Sequence, residues 1–216
     1  MTTQKFSKSE ALRFGWNIMK SNLGFFIALL IVVGLIYSVP AIIEKLVKED
    51  APVLSIIIRI VSAVLSMVIQ MGLIRIAIRF CDNEKGGFAD LFSCFPLVFK
   101  YLFSSILYVL VVFGGMILLI IPGIIWAIKF QFFSYFIVDR GLGPIEALKR
   151  SAVITKGVKW DLFVFRLLLM GINLLGVLCL LIGLFATIPM TMVAVAFVYR
   201  KLLAQLETIQ VHGTAP

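Results

Sequence analysis

Apolar residues in this chain fall into long, nearly unbroken runs. They extend from about Leu23 to Ile43, Val53 to Phe80, Leu97 to Ile121, Ile124 to Val138, Leu162 to Gly183 and Leu184 to Leu203. A helix needs about 20 residues, within a range of about 17–25, to cross the hydrocarbon of a bilayer. The second run is longer, which predicts a tilted or protruding helix, and the fourth is shorter, which predicts one that starts below the surface. Breaks within pairs of runs are short: Glu44 to Pro52, a turn at Ile121-Pro122-Gly123, and another near Thr187-Ile188-Pro189. Breaks between pairs are longer, Cys81 to Pro96 and Asp139 to Asp161. The pattern predicts an all-α integral membrane protein with six transmembrane helices in three hairpins, at about 23–80, 97–138 and 162–203. Residues 1–206 form one membrane domain and 207–216 a short polar C-terminal tail.

The polar connectors carry their own helical signals. Ser7-Lys8-Ser9-Glu10 is a capping-box pattern, in which a hydroxyl and a carboxylate satisfy amides at a helix start. Beyond it, Ser9, Arg13, Asn17 and Lys20 recur at helical spacing opposite Leu12, Phe14, Trp16, Ile18 and Met19. Such a helix lies in the membrane interface, apolar face in lipid and basic face in water. A second one is expected from Gly143-Pro144 to Gly157, with Ile145, Leu148 and Ala152 as its apolar stripe. A shorter one spans Phe88 to Phe95. Each hairpin would thus be preceded by a cytoplasmic amphipathic helix, and the basic residues Arg13, Lys20, Lys149, Arg150 and Lys156 would meet anionic phospholipid. The alternative is that these helices are linkers shielding the hairpin bases.

Charge distribution orients the chain. Lys5, Lys8, Arg13, Lys20, Arg75, Arg79, Lys85, Lys100, Arg140, Lys149, Arg150, Lys156, Lys159, Arg200 and Lys201 lie on one side, against Lys45 and Lys48 on the other. Positive residues stay cytoplasmic, so both termini are expected inside. The first apolar run has no small-x-small site after it and is expected to be kept as a span, not cleaved as a signal. Composition agrees: 62% of residues are hydrophobic and 14% charged, where soluble domains run about 45–50% and about 25%. The net charge of +9 is spread through the gaps between runs, which is not a nucleic-acid footprint. Cys81, Cys94 and Cys179 form no C-x-x-C and are odd in number, so no disulfide framework is expected.

A threefold internal repeat is one reading of these units. Glu10-Ala11-Leu12 matches Glu146-Ala147-Leu148, and Gly34 to Pro40 matches Gly183 to Pro189, with Gly115 to Pro122 as the middle unit. Apolar runs also produce chance matches. Pro122-Gly123-Ile124-Ile125-Trp126, Phe136-Ile137-Val138-Asp139, Gly143 to Ser151 and Lys156-Gly157 carry a further likeness. Through them the chain resembles the bacterial multi-pass family named for the membrane domain of glycerophosphoryl diester phosphodiesterase. That resemblance implies the architecture and a bacterial inner-membrane location. It does not imply hydrolysis, because the sequence has no room for the catalytic barrel.

Chemistry-bearing residues are sparse. The single histidine, His212, excludes Ser-His-Asp and Cys-His arrangements and an H-E-x-x-H metal site. No phosphate-binding glycine motif occurs. No enzyme activity, metal or cofactor is therefore expected. Inside the spans, Ser55, Arg59, Ser62, Ser66 and Gln70 recur at steps of three and four and form one polar stripe. Such a stripe either packs helices or lines a wet cavity. Three cations also fall within spans. Arg59 and Arg166 lie close enough to the ends to snorkel, whereas Lys129 lies roughly 9 Å from the Pro122-Gly123 turn and roughly 15 Å from Asp139. Snorkelling, deprotonation or an external anion would each relieve Lys129. The third option groups Arg59, Ser62, Ser66, Gln70, Lys129 and Gln131 into a cavity for an anionic phospholipid head. The expected role is a non-enzymatic lipid-contacting scaffold or envelope-homeostasis module, the alternative a small transporter or channel.

Overall fold

The computed structural model describes residues 5–47, 51–179 and 182–213; Lys48 lies outside the described residues. The described residues are helical, without strands. The helices are α1 (Lys8–Ser21), α2 (Leu23–Val47), α3 (Pro52–Cys81), α4 (Val98–Leu118), α5 (Ile120–Phe130), α6 (Phe133–Arg140), α7 (Pro144–Ile154), α8 (Lys159–Leu178) and α9 (Leu184–Gly213). Six helical segments are long and apolar enough to cross a membrane: Leu23–Leu46, Pro52–Cys81, Phe88–Leu118, Ile120–Arg140, Lys159–Leu178 and Leu184–Thr208. This is a multi-pass membrane protein.

Helix α1 begins where the capping pattern placed it. The Ser7 hydroxyl accepts from the Glu10 amide at 3.3 Å, while the Glu10 carboxylate pairs with Lys201 at 2.9 Å. Its inner face differs from the expected lipid-facing stripe. Ala11, Gly15 and Met19 are buried against α9, and Phe14 stacks on Phe197 at 4.5 Å. A Cβ on Gly15 would collide with the Met190 carbonyl, so only glycine lets α1 lie this close to α9. Arg13 and Lys20 are exposed, as is Trp16.

The turns fall beside the prolines rather than on them. Extended backbone at Leu119 (φ −165°, ψ 147°) separates α4 from α5, and Pro122 lies in the first turn of α5. A proline fits there because its missing N–H would have no intrahelical acceptor. Likewise Ile182-Gly183 form the turn before α9, and Pro189 stands inside that helix. Helices in lipid tolerate such a proline where neighbouring groups satisfy the released carbonyl. Gly115 and Gly123 hold α4 and α5 together: a Cβ on Gly115 would lie 3.0 Å from the Gly123 Cα. Gly34, aligned with Gly115 and Gly183 in the repeat reading, has nothing near its Cβ position. The glycines matched in sequence therefore occupy different environments.

The fourth apolar segment is two helices, α5 and α6, broken at Gln131-Phe132. A break inside a membrane must have its backbone groups satisfied by protein. Helix α7 does this. Buried Ser151 accepts from the Phe132 amide at 3.0 Å and donates to the Lys129 carbonyl at 3.1 Å, and Thr155 donates to the same carbonyl at 3.0 Å. The buried face of α7 is accordingly Ala147, Leu148, Ser151 and Ile154; Ile145, expected in its apolar stripe, is exposed. Lys149, Arg150 and Lys156 are exposed. Helix α6 is buried from Phe133 to Val138, and its Phe136 and Tyr135 pack on Tyr199 of α9.

Ion pairs cluster at the two ends of α3. Arg59 pairs with Glu44 of α2 at 2.6 Å, and Arg79 pairs with buried Asp90 at 2.7 Å. The two arginines stand about 30 Å apart along the helix axis, the thickness of a hydrocarbon core. At the Arg79 end, Arg200 of α9 bridges Asp82 and Asp139, and Tyr199 donates to Asp139 at 2.9 Å.

Candidate functional site

Helices α3, α4, α6, α8 and α9 line an open cavity of about 780 Å³, and Arg166 stands exposed at it. Each contributes polar groups because small or amphipathic side chains interrupt an otherwise aliphatic face. Gln70 comes from α3, Tyr101 from α4, Ser134 and Tyr135 from α6, Arg166 and Asn173 from α8, and Thr191 from α9. Leu73, Leu169, Met192 and Val195 supply apolar wall. No carboxylate is among its lining residues.

Arg166 dominates the electrostatics. Its Nε donates to the Gln131 Oε1 at 2.7 Å, a neutral acceptor. Among the described residues no carboxylate lies within ion-pair distance of it, whereas the cations at the ends of α3 have such partners. A guanidinium stays protonated in proteins and presents a planar fork suited to phosphate or carboxylate. Deeper along α8, Asn173 donates to the Thr191 hydroxyl at 3.3 Å, which donates onward to the Ile188 carbonyl at 3.0 Å. The Asn173 Oδ1 is buried without a hydrogen-bond partner, as is the Gln131 Nε2. Tyr101 donates to the Gln70 Oε1 at 2.9 Å. The site therefore offers one fixed positive charge with amide and hydroxyl groups on several sides. Among the described residues no cluster of His, Cys, Asp or Glu could hold a metal.

Of the six residues grouped from the sequence, Gln70 lines this cavity and Gln131 stands behind Arg166. Arg59 is about 16 Å from Gln70 along α3 and engages Glu44. Ser62 and Ser66 donate to carbonyls of their own helix, Ile58 at 2.7 Å and Ser62 at 2.8 Å. Lys129 is half-buried with its Nζ 5.0 Å from the Phe130 ring centroid, outside the lining. The sequence places Arg166 within snorkelling reach of the span's end and does not single out Asn173 or Thr191. The available signal was the seven-residue spacing of Arg166 and Asn173, which places both on one face of a helix.

Residues 100–206 match a family described as protein of unknown function (DUF975). The chain is similar to that family over this stretch. The matched region contains Tyr101, Ser134, Arg166, Asn173 and Thr191, and thus most of the polar lining. No curated protein and no solved structure matches the chain.

Proposed function

We propose that the protein is a non-enzymatic, lipid-contacting module of a bacterial cytoplasmic membrane, with both termini cytoplasmic, whose cavity receives the anionic head of a membrane phospholipid. One observation carries this reading: Arg166 lines an open cavity between apolar helices that has no carboxylate in its lining, and its Nε is held by a neutral amide. An arginine at the centre of a span costs about 2.5–3.5 kcal/mol on insertion scales, and Arg166, about 10 Å from the start of α8, bears part of that cost. A phosphate oxygen on the guanidinium offsets that cost, and the apolar wall suits the adjoining acyl chains. The likeness to the glycerophosphoryl diester phosphodiesterase membrane domain extends this to architecture, and we assign no hydrolysis. Exposed Lys149, Arg150 and Lys156 add a basic surface for anionic lipid at the end of the bundle.

Native mass spectrometry of the detergent-purified chain tests the reading. The wild type should retain phosphatidylglycerol in preference to phosphatidylcholine; Arg166→Leu should retain less phosphatidylglycerol than the wild type, and Arg166→Lys should keep part of the difference. Equal retention by wild type and Arg166→Leu would rule the site out. A transport role is favoured by one feature, the extension of polar groups from Arg166 to Asn173, about 10 Å along α8. Anion or lipid flux in proteoliposomes, absent in Arg166→Leu, would select it.

A further inference from the structure

A second groove, of about 290 Å³, lies between α5 and α8, away from the polar cavity. Ile121, Ile124, Ile125 and Ile128 form one wall. Their spacing puts them on a single face of α5, a ladder about 10 Å long. Trp160 and Phe163 form the other wall, with ring centroids 5.4 Å apart. Lys159 is the only charged residue lining the groove.

Two features of Lys159 select the occupant. It is half-buried, and among the described residues no carboxylate pairs with it; the nearby Asp161 is engaged by Lys8 at 2.7 Å. It is also the first residue of α8, where the helix dipole adds positive potential. Trp160 beside it is 73% exposed, as an aromatic anchor at the boundary of lipid and water is. An apolar channel ending in an unneutralised cation and an interfacial indole matches an amphiphile with an anionic head.

We propose that this groove seats one membrane phospholipid of net negative charge, its head at Lys159 and an acyl chain along the α5 isoleucines. The site is independent of Arg166.

Selective quenching of Trp160 tests it. In Trp16→Phe/Trp126→Phe, Trp160 is the remaining indole of the full chain, reconstituted in phosphatidylcholine bilayers. Brominated-chain phosphatidylglycerol should quench Trp160 half-maximally at about fivefold lower mole fraction than brominated phosphatidylcholine, the share of one lysine near an anionic surface. Lys159→Gln should abolish the difference, and Arg166→Leu should leave it intact. Equal quenching by the two lipids, or a preference that survives Lys159→Gln, would overturn the proposal. So would an absence of quenching by either lipid, the result expected if a second copy of the chain covers the groove. Should the double tryptophan variant not fold, native mass spectrometry of Arg166→Leu with and without Lys159→Gln decides the same point. One phosphatidylglycerol retained in the first and lost in the second supports the seat, and no difference refutes it.

Discussion

The Arg166 guanidinium is bonded to the side-chain oxygen of Gln131, the residue at which α5 gives way to α6. The helix break thus positions the acceptor that aims the cavity's one cation. Because that acceptor is neutral, the positive charge is not balanced by it, as the proposed headgroup site requires. Gln131→Glu keeps the shape and supplies an internal anion. Retained anionic phospholipid should then fall towards the level of Arg166→Leu, with folding preserved. Unchanged retention by native mass spectrometry would show that Arg166 does not hold the lipid.

The break itself depends on Ser151. That side chain is fully buried and bonded on both sides, to the Phe132 amide and the Lys129 carbonyl. Ser151→Ala should lower stability by about 1–3 kcal/mol, the cost of leaving a buried polar group unsatisfied. Denaturant unfolding in micelles measures it, and Ser62→Ala, whose hydroxyl donates to a carbonyl of its own helix, should cost far less.

Arg59 and Glu44 predict a contrasting result. The arginine is 65% exposed, and exposed pairs contribute about 0–1 kcal/mol. A double-mutant cycle on Arg59→Met and Glu44→Met should give a coupling within that range. Arg59→Met should also leave phospholipid retention at the wild-type level, separating it from Arg166.

The apolar runs alone lead to six helices, because length and hydropathy are local properties. They do not reveal the α5–α6 break, since 124–138 reads as one apolar stretch and the groups that satisfy it, Ser151 and Thr155, come from another helix. Pro122 and Pro189 mark the turns in sequence only to within a few residues, because each stands within a helix. Gln70 was legible from its stripe. Arg166 was not, since its role rests on an amide 35 residues earlier and on a cavity formed by five helices.

Orientation gives a further prediction. Lys45 and Lys149 are both exposed, and the distribution of basic residues predicts opposite sides for them. In a variant lacking Cys81, Cys94 and Cys179, a membrane-impermeant thiol reagent on intact cells should label Lys45→Cys and spare Lys149→Cys. The reverse pattern would invert the topology.

Photo-crosslinking from within the cavity tests the central claim most directly. Met170 lines the cavity one turn beyond Arg166 on α8. A photoreactive residue there, activated in native membranes, should give an adduct with the mass of an anionic phospholipid. That adduct should disappear in the Arg166→Leu background. An adduct of equal yield and composition without Arg166, or no lipid adduct at all, would contradict an anionic headgroup held by this arginine.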